Sequence, residues 1–206
     1  MNSNLFNEIQ EATSAIRHGR GWTSLEKAQT LAATVFALRP QLSVEIGVYT
    51  GIGVISFALA HKAIGFGRVI GIDPYCAADS AEGQAHPADK EFWEKLDHNM
   101  IYKECLDHIS QFKVQNLIEI IRKRSDEVEP PSHIGVLRID GNHGDAVIKD
   151  IARYCPNVDV GGVLFLDDVG WSGGSVRAAA DELLKNGWAE LYKVDDGVAF
   201  QKLSHS

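Results

Sequence analysis

Hydrophobic positions in the first forty residues recur at the spacing of two amphipathic helices. In the range 5–18, apolar residues recur every three or four positions, and the pattern ends at His18. A second apolar stripe follows from Leu25 to Leu38, and either Thr23 or Ser24 can cap it. We therefore predict two helices in this part, which serve either as a lid over a site or as packing for the rest of the fold.

From residue 41 onward, short apolar runs alternate with amphipathic stretches. The apolar runs predict strands at Leu42–Gly47, at Gly67–Asp73, at Leu117–Ile121, in a run that ends at Asp140, and in a run that ends at Asp167. Helical patterns lie at about Ile52–Lys62, at about Asp145–Tyr154 and at about Ser175–Asn186, with a short helical turn at Ser125–Val128. A long polar segment from Pro74 to about Glu91 leads into a further helical region that extends through Phe112. An Asp-Gly turn within 195–197 then joins two β-rich runs and predicts an antiparallel hairpin.

This alternation predicts an α/β fold with a parallel sheet that is covered on both faces. In such sheets, ligands bind outside the carboxyl ends of the strands. A length of 206 residues with no visible boundary predicts one domain over 1–206, with the helices in 1–40 and the core in 41–203.

Acidic residues stand where two of the predicted strands end. Asp140 ends one strand and is followed three residues later by His143, whereas Asp167 and Asp168 end the next strand. If these strands are neighbours, the three carboxylates meet at one edge and would repel one another unless a cation lies between them. They could instead be helix caps or solvated turn residues, and His143 could be a surface residue. The pattern favours a site for a hard divalent cation with a base beside it.

A glycine-rich turn follows the first predicted strand. Its glycines at Gly47 and Gly51 permit a tight turn and close approach of a ligand at a helix N-terminus. The spacing differs from the dinucleotide fingerprint, and Glu45 lies two residues before the first glycine, which favours a cationic or amine-bearing ligand. Asp73 ends the next strand and could bind a ribose diol.

Net charge, cysteine content and the N-terminal sequence indicate which partners and which compartment to expect. A formal net charge of −8 argues against nonspecific binding to nucleic acid or to an anionic membrane. Three scattered cysteines without a CxxC spacing indicate a reducing compartment. The N-terminus lacks the pattern of a secretory signal, and no apolar run is long enough to span a membrane. We therefore expect a cytoplasmic protein that acts on a small molecule and that could form a homo-oligomer.

These motifs together resemble those of the class I S-adenosylmethionine-dependent methyltransferases. V-E-I-G-V-Y-T-G-I-G is similar to their first motif, and G-I-D-P-Y is similar to the acidic strand end that binds the ribose. I-D-G-N-H-G-D and D-V-G-G-V-L-F-L-D-D-V-G resemble the metal-dependent small-molecule O-methyltransferases, nearest to the branch that acts on sugar and antibiotic hydroxyls. The resemblance covers about residues 40–203. It implies a Rossmann-like three-layer sandwich whose seven-stranded sheet is mostly parallel, with an antiparallel C-terminal strand.

The resemblance also assigns roles to residues. The S-adenosylmethionine pocket would be formed by Glu45, Gly47, Tyr49, Thr50, Gly51, Asp73, Ser125 and Asp140. Asp140, Asp167 and Asp168 match the ligands of a divalent cation such as Mg²⁺, and His143 matches the general base. The catechol and caffeoyl-type enzymes usually have Asp-Asn at the second strand end and a lysine near the first acid. This chain has the Asp-Asp pair and His143 instead, which argues against the substrates of those enzymes.

The implied chemistry is consistent with these side chains. A hydroxyl is a poor nucleophile at neutral pH, and a hard cation that binds its oxygen lowers its pKa. The imidazole of His143 titrates in the range that suits removal of the proton. Trp171 could form a wall for the acceptor or pack within its loop, and Trp93 and Tyr102 could shape the pocket or belong to the core.

Three other functions are compatible with the same pattern. A metal-independent class I methyltransferase would use the same cofactor pocket without the cation. A nicotinamide-dependent oxidoreductase shares the layered fold, although the glycine spacing and Glu45 argue against it. A non-catalytic protein could retain the pocket, but the intact acidic trio argues for catalysis.

Overall fold

The computed structural model describes residues 3–18, 21–82, 86–142, 144–170 and 174–204. Its helices are α1 (Ser3–Arg17), α2 (Leu25–Leu38), α3 (Ile52–Ile64), α4 (Ala77–Ala81), α5 (Pro87–Lys95), α6 (His98–Gln111), α7 (Asp145–Tyr154) and α8 (Ser175–Lys185). Its strands are β1 (Leu42–Ile46), β2 (Arg68–Ile72), β3 (Ile118–Ile121), β4 (Ile134–Ile139), β5 (Val158–Leu166), β6 (Trp188–Val194) and β7 (Gly197–Lys202). Two single 3₁₀ turns lie at Ser125–Glu127 and Cys155–Asn157.

The seven strands form one sheet in the order β3-β2-β1-β4-β5-β7-β6. The strands from β3 to β5 pair in parallel, whereas β7 pairs antiparallel with both β5 and β6. The C-terminal hairpin turns at Asp195-Asp196, as the sequence predicts. The predicted α/β class, with a mostly parallel sheet and an antiparallel last strand, is confirmed.

Helices cover both faces of the sheet. One hydrophobic cluster joins α1, α2, α3 and α6 to one face, and a second joins α7 and α8 to the other. The α2 helix starts at the N-cap Ser24, whose hydroxyl accepts a hydrogen bond from the Lys27 amide. Its apolar stripe is buried against α3, so the N-terminal helices are packing elements of the fold.

The segment between β2 and α6 differs from the prediction. A polar stretch was expected from Pro74 to about Glu91, but it contains α4 and the start of α5. Pro87 occupies the first turn of α5, and the His86 ring nitrogen accepts a hydrogen bond from the Ala88 amide at 3.2 Å. The helix has no buried residue among its nine, so its sequence has no apolar stripe to reveal it.

The helices show no membrane-spanning character. Within the described ranges, none combines the length and the apolar composition that crossing a bilayer requires.

Candidate active site

Four strands end together at one edge of the sheet. The last residues of β1, β2, β4 and β5 are in register across their parallel pairings. The residue that follows each strand therefore lies at this edge, and these residues are Gly47, Asp73, Asp140 and Asp167. The expectation that both acidic strand ends meet at one sheet edge is thus met.

A cavity of about 580 Å³ opens above this edge. Of the predicted site residues, those that line it are Gly47, Tyr49, Thr50, Asp73, Ser125, Asp140, Asp167 and Asp168. Glu45 and Gly51 do not line it. His143 and Trp171 lie outside the described residues, so the roles predicted for them stay predictions. The volume falls within the range of pockets that bind small molecules and cofactors.

Asp73 organises the loops on the cofactor side of the cavity. Its Oδ2 accepts hydrogen bonds from the amides of Val48 at 2.9 Å and Tyr49 at 3.0 Å. Its Oδ1 accepts one from the amide of Tyr75 at 2.7 Å. Burial raises the pKa of Asp73, and the hydrogen bonds from Tyr49, Tyr75 and Val48 oppose that rise. One carboxylate therefore fixes two loops that follow neighbouring strands.

Both tyrosines in these loops have left-handed backbones. The φ angle is 52° at Tyr49 and 47° at Tyr75, values that are uncommon for residues other than glycine. The Tyr75 hydroxyl donates a hydrogen bond to the Tyr49 carbonyl at 2.9 Å, which links the two loops a second time. Strained conformations of this kind cluster at ligand sites, where the surrounding structure holds them.

Two glycines of the glycine-rich motif are required for packing, Gly47 in the turn and Gly53 in the first turn of α3. Gly47 has a φ of 85°, and a β-carbon there would overlap the backbone of Asp140 and Gly141 at the next strand end. A β-carbon at Gly53 would overlap the side chains of Glu45 and Arg138. The glycine-rich motif thus allows backbone and ion pair to approach closely at the sheet edge.

Arg138 is the central cation of the site, although the sequence analysis did not single it out. It lies on β4, is 2% exposed, and lines the cavity. Its Nη1 is paired with the Glu45 carboxylate, whereas Nη2 lies 2.7 Å from Asp140 Oδ2 and 2.5 Å from Asp167 Oδ2. Nη2 also donates to the Thr23 hydroxyl at 3.2 Å. Burial alone would lower the pKa of Arg138, but the three carboxylates outweigh it and raise that pKa, so the guanidinium stays charged.

Glu45 has a different place from the one predicted. It was expected to line the cofactor pocket, but its side chain is fully buried behind Arg138. Burial raises the pKa of Glu45 to about 7, and the charge of Arg138 opposes the rise. Its contribution to a cofactor site therefore passes through Arg138, which it helps to hold in place.

Lys27 is a second internal cation and comes from the N-terminal helix α2. Its Nζ lies 2.5 Å from Asp167 Oδ1 and 2.7 Å from Asp196 Oδ1. The Ser24 hydroxyl, one turn earlier, donates a hydrogen bond to Asp195. The first turn of α2 is thereby fastened to the β6–β7 turn, and Lys27 lines the cavity.

One group of carboxylates that could share a cation differs from the predicted trio in one member. Oxygen atoms of Asp167, Asp168 and Asp196 all lie within 4.8 Å of one another, whereas Asp140 is not part of this group and pairs with Arg138. Among the described residues, this group contains Asp196 in place of Asp140, and the metal role predicted for Asp140 stays a prediction. Arg138 Nη2 bonds to both Asp140 and Asp167.

Among the described residues, the carboxyl groups that surround Arg138 and Lys27 outnumber these two cations. Burial raises the pKa of Asp140 well above its usual value, and burial together with the charge of Asp167 raises that of Asp168 to about 7. Burial opposes ionisation of Asp167 too, but Arg138 and Lys27 outweigh it and lower the pKa to about 2. Crowded carboxyl groups with raised pKa values are stabilised by a further positive charge.

Aromatic side chains form one wall of the cavity. Trp22 stacks on Tyr49 with ring centroids 5.3 Å apart, and Trp93 meets both rings edge-on at 5.4 and 5.8 Å. Phe92 packs against the two tryptophans. Trp22 is 60% exposed, which is unusual for a side chain of this size. Of the alternatives open for Trp93, the structure places it on the cavity wall, whereas Tyr102 packs on Tyr75.

Three residues around Asp167 were not predicted from the sequence, namely Lys27, Arg138 and Asp196. One signal was present for Arg138, because a lone arginine inside an apolar strand must find carboxylates to be buried. Asp196 was noted only as part of a hairpin turn. Nothing in the local sequence marks Lys27, since a lysine in the first turn of a helix is ordinarily solvated.

Asp150 lines the cavity near Ser125, and its raised pKa predicts how the stability of the fold depends on pH. It lies on α7 and is 5% exposed, and burial raises its pKa to about 6 although Ser125 hydrogen-bonds to it. An unfolded chain has an aspartate pKa of about 3.9, so the native state binds the proton more tightly. This contribution to stability is complete below about pH 4 and is lost as the pH rises through about 6.

We therefore expect Asp150→Asn to stabilise the fold at pH 8 by about 1 to 3 kcal/mol and to have little effect at pH 4. Thermal unfolding at the two pH values measures the difference. Asp126→Asn is the matched control, because a hydrogen bond from Arg124 lowers the pKa of Asp126 and its removal should not stabilise. An equal gain for Asp150→Asn at both pH values would contradict the prediction.

Comparison with known proteins identifies related families and folds. A family model described as a methyltransferase domain matches residues 44–169. No curated protein matches the chain. Among solved structures, the O-methyltransferase NovP superposes with a TM-score of 0.74 at 17% identity, covering 98% of both chains.

Two further structures have similar coverage. TomG, an O-methyltransferase from Streptomyces achromogenes involved in tomaymycin synthesis, was solved with S-adenosylmethionine; its TM-score is 0.65 at 14% identity, covering 99% of this chain and 91% of TomG. An O-methyltransferase from Bacillus cereus, solved with S-adenosylhomocysteine, gives 0.60 at 15% identity over 99% and 92% of the chains. At these identities the structural likeness concerns the fold.

Proposed function

Because the chain belongs to the methyltransferase-domain family, we propose that it transfers a methyl group from S-adenosylmethionine to a hydroxyl oxygen of a small molecule of the sugar or natural-product type. One observation carries the proposal. The loops held by Asp73 and the acidic group around Asp167 open onto the same cavity, so a donor and an acceptor bound to them would be adjacent. Transfer from a sulfonium is an in-line displacement, and its catalysis depends mainly on such alignment.

The donor half is the edge formed by β1 and β2. Because Gly47 has no side chain, the backbone there packs closely on the next strand end and leaves room for a ligand across the strand ends. Asp73 provides a carboxylate beside the left-handed loops. Burial raises the pKa of the Asp140 and Asp168 carboxyl groups, and a positive sulfonium beside them would favour their ionised form. Ser125 and Asp150 also line the cavity and would lie beside the base of the nucleoside.

The acceptor half is the acidic group, and its chemistry fits a divalent cation. Asp167, Asp168 and Asp196 offer hard oxygen ligands within 4.8 Å of one another. A bound cation such as Mg²⁺ would lower the pKa of the acceptor hydroxyl. Arg138 keeps Asp140 and Asp167 oriented toward this region, and His143, three residues beyond Asp140, is the proposed proton acceptor.

A metal-independent methyltransferase is the second candidate, and Arg138 with Lys27 favours it. These side chains already neutralise part of the acidic charge without a metal. Removal of metal by EDTA discriminates between the two functions. We expect EDTA to lower turnover at least about tenfold and Mg²⁺ to restore it, whereas unchanged turnover would favour the second candidate.

Calorimetry tests the donor assignment. Titration with S-adenosylmethionine, S-adenosylhomocysteine and NAD⁺ should give binding of the first two and none of the third. Tight binding of NAD⁺ alone would revive the oxidoreductase hypothesis and overturn the proposal. Release of S-adenosylhomocysteine in the presence of a panel of sugars, phenols and other hydroxyl compounds then tests transfer and identifies the acceptor class.

The aromatic wall is expected to bind the acceptor. Trp93→Ala removes a large apolar surface beside the cavity, so the acceptor KM should rise about tenfold while kcat changes less than about threefold. Steady-state kinetics with the best acceptor of the panel measures both constants. Met100→Ala, on an exposed face of α6, is the control for truncation of a large side chain away from the cavity. Weakened S-adenosylhomocysteine binding with an unchanged acceptor KM would contradict the assignment.

A further inference from the structure

Lys27 occupies the region that a divalent cation would need. We propose that Lys27 is a built-in counter-ion of the acidic group, and that a divalent metal binds only by displacing its ammonium. This inference rests on the proposed function, because it concerns the metal that the acceptor half would hold. It assigns a role in metal affinity to a residue of the N-terminal helix α2.

The hydrogen bonds of Asp167 show which cations this carboxylate already binds. Its Oδ1 accepts from Lys27 Nζ at 2.5 Å, and its Oδ2 accepts from Arg138 Nη2 at 2.5 Å. Each oxygen of this carboxylate is therefore bonded to a cation. Asp196 Oδ1 also bonds to Lys27 Nζ, at 2.7 Å. The ammonium thus bridges two of the three carboxylates that could share a metal.

Charge repulsion opposes binding of a divalent ion next to the Lys27 ammonium. An ammonium and a divalent ion bonded to the same two carboxylates would lie only a few ångströms apart. Lys27 is 8% exposed, and Asp167 is 6% exposed, so water screens this repulsion poorly. Both cations cannot occupy the bridging position, and one of them must leave.

Lys27 is the cation that can leave. Arg138 lies in the middle of the sheet, bonded to Glu45, Asp140 and Asp167, and its rigid fork fits these carboxylates. Lys27 reaches the site from α2 on a flexible stem, and its partner Asp196 has a side chain that is 52% exposed. A rotation of the lysine stem frees Asp167 Oδ1 and Asp196 Oδ1 together.

Titration calorimetry with Mn²⁺ tests the proposal on the full chain. Lys27→Met removes the ammonium and keeps the stem, so we expect Mn²⁺ to bind at least about tenfold more tightly than to the wild type, a factor equivalent to about 1.4 kcal/mol. Lys27→Arg keeps the charge and should not bind Mn²⁺ more tightly. The control is Lys62→Met, which removes an exposed lysine paired with Glu8 and should leave the affinity unchanged.

The outcomes separate this inference from the proposed function. Binding of S-adenosylhomocysteine is measured on the same samples, and its absence in the wild type would overturn the function itself. If S-adenosylhomocysteine binds but Mn²⁺ has equal affinity for wild type and Lys27→Met, or binds to neither, the counter-ion role is overturned. Equal tightening in Lys62→Met would also overturn it, because net charge would then explain the effect.

A measurement on the wild-type protein covers the case in which Lys27→Met fails to fold. Mn²⁺ that displaces the ammonium exposes it, so an amine-acylating reagent should modify Lys27 several-fold faster with Mn²⁺ than without it. Peptide mass spectrometry compares this rate with that of Lys62 in the same sample. An unchanged ratio at a Mn²⁺ concentration shown to saturate the protein would overturn the proposal.

Discussion

Replacement of Arg138 by methionine is expected to lower the free energy of unfolding by about 3 to 5 kcal/mol, because it leaves buried carboxylates without their counter-ion. The guanidinium is 2% exposed and bonds to Glu45 within β1 and to Asp140 and Asp167, which directly follow β4 and β5. Loss of these contacts also releases the two acids that border the cavity, so methyl transfer should fall by at least about a hundredfold.

Urea unfolding measures the stability, and release of S-adenosylhomocysteine measures the turnover. Arg68→Met is the matched control, since Arg68 and its partner Glu119 have side chains that are each 60% exposed. A second substitution, Glu45→Gln, should restore part of the stability lost in Arg138→Met, because it removes one of the uncompensated charges. Similar losses in Arg138→Met and Arg68→Met would show that the buried network is not a stabilising unit.

Replacement of Asp73 by alanine is expected to weaken S-adenosylhomocysteine binding by about a hundredfold, equivalent to about 2.7 kcal/mol. The amides of Val48, Tyr49 and Tyr75 lose their common acceptor, and the left-handed loops are no longer held. Asp73→Asn keeps one acceptor oxygen but turns a donor toward at least one amide. Its affinity should therefore be intermediate.

Calorimetry with S-adenosylhomocysteine gives the affinities, and thermal unfolding verifies that the variants are folded. Asp107→Ala, on the exposed side of α6, is the control for loss of a negative charge. If Asp73→Ala binds as tightly as the wild type, Asp73 has no part in the cofactor site. If Asp73→Asn is as weak as Asp73→Ala, the charge of the carboxylate matters more than its hydrogen bonds.

Much of the fold could be predicted because buried strands mark their own limits. The run predicted at Leu42–Gly47 is the strand Leu42–Ile46, and the helix predicted at about Asp145–Tyr154 has those ends. Short parallel strands are apolar throughout, and the polar residue after each one shows where it ends. The position of Asp140 beside Asp167 follows from this rule and from the parallel pairing of β4 and β5.

The ion network could not be predicted, because its members are far apart in the chain. Lys27 meets Asp167 across 140 positions, and Arg138 meets Glu45 across 93. Such contacts depend on side-chain directions that the sequence pattern leaves open. An apolar strand gives no indication of which neighbour a single buried arginine will bond. For the same reason, Glu45 was assigned to the pocket, although the side chain lies behind it.

The close approach at Gly53 has a consequence for how this family can vary. The space beside its α-carbon is filled by the Glu45 carboxylate and the Arg138 guanidinium. A larger residue at this position is compatible only with a smaller or absent ion pair. Across related chains, the glycine should therefore covary with the glutamate and arginine, and a chain that lacks the arginine should tolerate alanine here. The presence of Gly53 at the end of the motif would then indicate the buried ion pair in the sheet and not contact with the cofactor.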